Sequence, residues 1–260
     1  ELPTLERLFD DKIPNKVQLL IKRLENPKIL GDKLKLKNCF LFVGPPGTGK
    51  STVGQILVRM AGWDIAYAGG GDYRTAFQGS GKAKIDAHVA EAKKRGKCAV
   101  FIDEIDAAAA RVEVTGTTPE DNRALKAILT TIDQHMYDPN ICFICTTNYP
   151  EKMDAAVLRR FTIIEIPLPT FEQRKKIIEY YLKEFNVPIQ ERNHNAISPY
   201  FLDRLVTVTE GFSGDTISDM ISNALAEHRA GLTPEARVSV GFRLSGFNFR
   251  HKSILANLAE

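Results

Sequence analysis

The run Gly44-Pro45-Pro46-Gly47-Thr48-Gly49-Lys50-Ser51 limits the folds open to this chain more than any other stretch. It fits G-x-x-x-x-G-K-[ST], a loop that binds the phosphates of a nucleotide. Its glycines let the backbone turn tightly and approach an anion with no Cβ in the way. Its N–H groups can then surround phosphate oxygens. Lys50 is suited to the β- and γ-phosphates, Ser51 to a Mg2+ ion, and Thr52 follows in the same turn. Cys39 to Val43 is a short apolar run that reads as a buried strand. After the loop, Val53, Ile56, Leu57, Met60 and Ala61 recur at helical spacing. Strand, glycine loop and helix in that order aim a helix N-terminus at a phosphate. A Gly/Pro-rich connection could spell the motif by chance, but these flanks argue against it.

Such a loop needs a parallel sheet to carry it, and the rest of the chain supplies one. Strand-like apolar runs recur at Asp64–Ala68, Cys98–Ile102, Ile141–Cys145 and Thr162–Ile166. Glu165 inside the last run marks an edge strand. Helices are expected from Asn15, with that residue as N-cap and an end at Asn26-Pro27, and again with Ile85, Val89 and Ala92 on one face. A helix to about Ile132 and a short one over Asp154–Arg160 complete this half. Gly69-Gly70-Gly71 and residues 107–122 read as loop. Alternating strand and helix over 1–167 predicts a parallel sheet covered on both faces. Residues 168–260 read as mainly helical. Thr170 and Gln173 form a capping box, and further helices lie near Pro199–Thr209 and Ser213–Arg229.

The 260 residues are 43% hydrophobic and 26% charged, which suits a globular chain. A net charge of +3, from 35 basic and 32 acidic residues, gives no strong nucleic-acid signal. No apolar run approaches the ~18 residues of a membrane helix, and no secretory leader pattern is present. The sequence opens on Glu1 rather than Met, as a piece of a longer protein would. Cys39, Cys98, Cys142 and Cys145 lie in or beside the strand-like runs. Cys142 and Cys145 have C-x-x-C spacing, which suggests redox or zinc chemistry. In a strand, however, i and i+3 point to opposite faces, which makes them core thiols. The cytoplasm or another reducing compartment fits four unpaired cysteines.

Ligands of such sheets bind at the carboxyl ends of the strands, where Asp103, Glu104 and Asn148 fall. Asp103 follows four apolar residues and is expected to hold Mg2+ opposite Ser51. Glu104 is the candidate base that polarises the attacking water. Asn148 can orient that water, although an Asn before Tyr149-Pro150 is also an ordinary turn former. Arg159 and Arg160 read by themselves as surface charge.

Five motifs taken together resemble a AAA+ ATPase of the AAA subgroup. They are GPPGTGKS at 44–51, VFIDEID at 100–106, TTN at 146–148, LRRF at 158–161 and GFSGD at 211–215. The resemblance covers roughly residues 10–230. It implies a five-stranded αβα P-loop core over 1–167, a small helical lid over 168–260, and ATP between the lid, the core and a neighbouring subunit. It also implies a ring, usually a hexamer and here nucleotide-dependent, with a protein as the substrate that is remodelled, unfolded or threaded. In that family the positions of Arg159 and Arg160 are arginine fingers. Phe77 and Gly79 match the first pore loop, while Gln78 departs from it. Gly214 and Asp215 resemble the lid contact to the nucleotide, and Ile13 is a candidate for packing on the base. Asp133-Gln134-His135 stands where the family often has Asp-Gly-Phe, and no H-E-x-x-H protease signature occurs. The rival readings are a nucleic-acid motor or clamp-loader-like ATPase, a nucleotide-dependent scaffold, and a small-molecule kinase. A scaffold does not explain the intact acids and arginines, and a kinase gives no reason for TTN and LRRF.

Overall fold

The apolar runs pair as one parallel sheet in the computed structural model, which describes residues 14–26, 37–73, 80–108, 123–189 and 197–229. The strands are β1 (Cys39–Val43), β2 (Asp64–Gly69), β3 (Cys98–Asp103), β4 (Ile141–Thr147) and β5 (Thr162–Glu165), in the order β2-β3-β4-β1-β5. The helices of this part are α1 (Asn15–Glu25), α2 (Lys50–Met60), α3 (Ser80–Lys94), α4 (Arg123–His135) and α5 (Ala155–Leu158). β1 and β4 are buried along their whole length, because helices cover both faces of the sheet. β5 is an edge, as Glu165 within it requires.

The period of two sorts every strand between two cores. Phe40, Phe42, Ala99, Phe101, Cys142 and Ile144 face α1 and α2, meeting Val17, Leu20, Leu24, Val53, Ile56 and Leu57. Leu41, Val100, Ile102, Phe143 and Cys145 face the other way, against Ile85, Val89 and Ala92 of α3 and Ile128 and Ile132 of α4. Cys142 and Cys145 therefore lie on opposite sides of the sheet. All four cysteines are free and buried, and burial pushes the thiols of Cys142 and Cys145 well above the ordinary range. Among the described residues no three His, Cys, Asp or Glu side chains group to hold a metal. No helix there is long and apolar enough to cross a membrane.

Several local expectations shift. Pro14, not Asn15, is the N-cap of α1: its extended ψ of 140° turns its carbonyl to accept from Val17 and Gln18. Met60 ends α2 and is 66% exposed, while Val58 is buried. The chain turns back over that side, with the Trp63 amide donating to the Val58 carbonyl and the Trp63 indole to the Leu24 carbonyl. Gly69 closes β2, and Gly70–Tyr73 is a 3-10 turn rather than loose chain. Ile105–Ala108 is a second such turn inside a stretch expected to be loop. Helix α5 is shorter than Asp154–Arg160, so both arginines follow it.

The described residues divide into two compact units between Pro167 and Leu168. The second is helical: α6 (Phe171–Glu184), α7 (Pro199–Val208) and α8 (Gly214–Arg229). Ile178 and Leu182 meet Leu202, Leu205, Val206, Ile217, Met220 and Ile221 in its own core. The capping box at its start is present: the Thr170 hydroxyl accepts from the Gln173 amide, and the Gln173 side chain accepts from the Thr170 amide. Thr170→Ala removes one half of this reciprocal pair, and N-cap losses of this kind cost about 1 kcal/mol. We expect faster amide hydrogen exchange in the first turn of α6, with exchange in β3 unchanged. Equal protection in both proteins would show that the cap contributes nothing.

Candidate active site

The two-residue alternation that builds the core also builds the site. Asp103 follows Phe101 and Thr146 follows Ile144 on the face covered by α2. The first turn of α2 therefore lies over both side chains. The Ser51 hydroxyl donates to Asp103 Oδ1 at 2.6 Å, and the Thr146 hydroxyl donates to the same oxygen at 2.5 Å. Tyr67 of β2 donates to Asp103 Oδ2 at 2.5 Å. Burial by itself raises the Asp103 pKa, but the bonds from Ser51, Thr146, Tyr67 and the Glu104 amide outweigh it, and the carboxyl sits below its ordinary value. Burial, and then the bond to Asp103, pushes the Tyr67 phenol up to about 12, so it stays a donor at neutral pH.

The loop between β1 and α2 is shaped by close approach. Gly44 has φ 155°, and a Cβ there would lie 2.1 Å from the Ile166 carbonyl oxygen. Gly49 precedes α2 in the left-handed conformation at φ 83°. Lys50 is only 6% exposed, and its ammonium donates to the Gly44 and Pro45 carbonyls at 3.0 and 2.7 Å. The Thr48 hydroxyl also donates to the Pro45 carbonyl. The loop thus keeps a buried cation on its own carbonyls, beside an eleven-residue helix whose N-terminus carries partial positive charge. That arrangement fits a polyphosphate. The Ser51 hydroxyl and the Asp103 carboxylate are hard oxygen donors and fit Mg2+.

Glu104 has φ 50°, left-handed for a residue with a Cβ. Three contacts hold its backbone there. Its amide donates to the Thr146 hydroxyl at 2.8 Å, its carbonyl accepts from the Ala107 amide at 2.8 Å, and Gly70 packs on that carbonyl so closely that a Cβ would lie 2.2 Å from the oxygen. The carboxylate itself is exposed. The Asn148 amide points to Glu104 Oε1 across a long 3.4 Å.

Lys50, Ser51, Asp103, Glu104 and Asn148 are thus brought to one edge of the sheet. Arg159 and Arg160 are linked to none of them by hydrogen bond or ion pair among the described residues. Arg160 is held by Asp133 through two bonds of 2.8 Å and also donates to the Ala156 carbonyl. Arg159 is exposed, and its carbonyl accepts from Lys37. Gly214 and Asp215 open α8 in the second unit. Ile13, Phe77 and Gly79 lie outside the described residues. Tyr67, Thr146 and Gly70 were not singled out from the sequence. Thr146 lies inside the TTN motif, but nothing local marks it as the bridge between Asp103 and Glu104.

The chain is similar to several known proteins. Residues 40–168 match the family described as "ATPase family associated with various cellular activities (AAA)". Over 256 residues the chain is 31% identical to a protein of Methanocaldococcus jannaschii named as a 26S proteasome regulatory subunit homolog, covering 98% of this chain and 65% of that one. It is 28% identical over 220 residues to an ATP-dependent zinc metalloprotease of Homo sapiens, with 82% of this chain and 27% of that protein covered. Over 222 residues it is 30% identical to the ATP-dependent zinc metalloprotease FtsH of Caulobacter vibrioides, with 82% and 34% covered. The chain spans less than two thirds of each of these relatives.

Thr146→Val removes a donor to Asp103 and the acceptor of the Glu104 amide at one stroke. A carboxyl whose folded pKa is depressed stabilises the fold above its ordinary value of 3.8, and that contribution is lost as pH falls through the depressed value. We expect carboxyl-carbon NMR to place Asp103 below 3.8 in the native chain and higher in the variant. At neutral pH the variant should be less stable by about 1–3 kcal/mol, with the difference shrinking in acid. An identical Asp103 titration in both proteins would remove Thr146 from the account.

Proposed function

The chain belongs to the AAA family of ATPases, and from that premise we propose that it binds ATP with Mg2+ and hydrolyses it, with residues 1–167 as the ATPase core and 168–260 as its lid. The observation that carries this reading is the Ser51 hydroxyl at 2.6 Å from a half-buried Asp103, beside a buried Lys50 that rests on the loop's own carbonyls. Gly44 to Gly49 wrap the phosphates, with N–H donors from Gly47, Thr48 and Gly49 and shape from Pro45 and Pro46, and with Thr52 in the same helical turn. Lys50 exchanges loop carbonyls for β- and γ-phosphate oxygens. Ser51 and Asp103 hold Mg2+, which supplies positive charge to the phosphate oxygens. Glu104 accepts the proton of a water as that water's oxygen bonds to the γ-phosphorus. The bond from phosphorus to the bridging oxygen breaks, and ADP and inorganic phosphate leave. Asn148 orients the water or its acceptor. Ile13, Gly214 and Asp215 are the proposed contacts to the nucleoside.

Two further parts complete the proposal. The first is a nucleotide-dependent homo-oligomeric ring, a hexamer, in which Arg159 and Arg160 act on a neighbour's site. The side chain of Arg159, exposed and without a hydrogen bond or ion pair among the described residues, supports an outward role, while Asp133 fixes Arg160 beside it. The second is a protein substrate, threaded or remodelled, with Phe77 and Gly79 on the loop that contacts it. The relatives named as proteasome regulatory subunit homolog and as ATP-dependent proteases support that choice.

Two variants separate binding from chemistry. Lys50→Ala removes the cation for the β- and γ-phosphates, and calorimetry should find nucleotide affinity sharply reduced. Glu104→Gln keeps shape and charge-independent contacts but loses the proton acceptor. It should bind ATP and turn over about 10²-fold or more slowly. Normal phosphate release from Glu104→Gln would end its assignment as base.

The arginines call for a mixing experiment. Arg159→Ala and Arg160→Ala should each bind nucleotide normally, and loss of a finger can reduce hydrolysis by about 10³-fold or more. Each should regain measurable ATPase when mixed with Glu104→Gln protein. In a mixed ring, an arginine-deficient subunit keeps its own Glu104 and receives an intact arginine from its neighbour. Mixed rings, verified by mass, that stay inactive would show that the arginines do not act across an interface.

A further inference from the structure

Tyr67 is not explained by packing. It sits on the edge strand β2 and is 52% exposed. Yet its ring is held in one orientation, stacked on Phe101 with centroids 5.4 Å apart and planes 18° apart. Strand register sets its reach. Tyr67 pairs with Phe101, and Gly69 pairs with Asp103. Successive same-face positions lie two residues apart, so a ring lying along β2 from position 67 reaches the carboxylate opposite position 69. Gly69 has no side chain to intervene, and the phenol arrives at Asp103 Oδ2 at 2.5 Å.

We propose that Tyr67 is a positioning residue for the divalent cation of the hydrolysis reaction: its hydroxyl fixes the second oxygen of Asp103 so that the first stays turned toward Ser51. The inference rests on the reading of Asp103 as the cation's carboxylate. Oδ1 receives two hydroxyls, from Ser51 and Thr146. If Ser51 offers its oxygen to a cation, its O–H must turn away from Asp103, and Thr146 is the side-chain donor left on Oδ1. A carboxylate held by side chains through one oxygen is freer to rotate about Cβ–Cγ than one held through both. Tyr67 supplies the side-chain bond on Oδ2. The Phe101 stack has already ordered its ring, so little freedom is lost in making it. Outer partners of this kind commonly change metal affinity about 10- to 100-fold.

The competing explanation is that the tyrosine only shields Phe101, a task phenylalanine performs equally well. Tyr67→Phe therefore separates the two, because it keeps the ring and removes one oxygen. The probe is Mn2+, followed by its electron paramagnetic resonance, with the 260-residue chain saturated with ADP. A fluorescent ADP analogue in EDTA reads nucleotide affinity without metal. Tyr67→Phe should weaken Mn2+ binding about 10-fold or more, with metal-free nucleotide affinity unchanged. Unchanged Mn2+ affinity, or an equal loss of metal-free nucleotide affinity, would overturn the proposal. Asp103→Asn is the control for the reading beneath it. If that variant weakens Mn2+ binding and Tyr67→Phe does not, only the role of Tyr67 fails. If neither does, or if the unsubstituted chain binds no Mn2+ with ADP, the cation site itself is wrong and the inference falls with it.

Discussion

The Asp103 carboxylate is the junction on which the site depends. It receives hydroxyls from α2, β4 and β2, so three elements are held at one carboxyl edge of the sheet. A half-buried carboxylate without partners is costly, and removing water from it raises its pKa. Here the hydrogen bonds win, because the net shift is downward. The ionised form is therefore the one the fold prefers, and it is also the form a divalent cation needs. The same bonds couple the acids to each other. Thr146 accepts from the Glu104 amide and donates to Asp103, so the Asp103 carboxylate and the Glu104 backbone share one hydroxyl.

Sheet order explains why these groups meet at all. β1 lies between β4 and β5, and the chain leaves it for the far edge at β2 before returning through β3 and β4. Helices that leave a parallel sheet at such a reversal diverge, and their separation opens a crevice at the strands' carboxyl ends. The glycine loop after β1 and the acids after β3 border that crevice. Burial of Phe40, Phe42, Phe101 and Phe143 fixes register across these strands, since a slip of one residue would send each ring to the opposite face. The register that keeps the aromatic residues in their cores is thus the register that aligns Ser51, Asp103 and Thr146. In this chain the dry core and the candidate site depend on the same pairing.

Much of this was legible in the sequence because its causes are local. Continuous apolar runs between turn formers marked all five strands, and the phosphate loop marked its own flanks. Glu165 announced an edge, and Thr170 with Gln173 announced a cap. What was not legible depends on pairing between distant segments. Tyr67 looks like a surface aromatic until β2 is set beside β3 in register. Thr146 looks like strand until its face is known to be that of Asp103. Gly70 looked like loose chain, yet its missing side chain is what admits the Glu104 carbonyl. Met60 fitted the periodicity of α2, which says nothing about where a helix stops or which side the returning chain covers.

Glu104 shows how such long-range contacts act on chemistry. A left-handed backbone at a residue with a Cβ costs on the order of 1–3 kcal/mol, and ordinary chain would relax it. Thr146 holds the amide, Ala107 holds the carbonyl, and Gly70, lacking a Cβ, makes room for that carbonyl. In a regular strand, Glu104 would follow Asp103 onto the opposite face, away from Ser51. The positive φ breaks this alternation at the residue that follows Asp103, as the proposed use of both acids in one site requires. Gly70 belongs to the turn that ends at Tyr73, so the turn after β2 packs directly on Glu104 after β3.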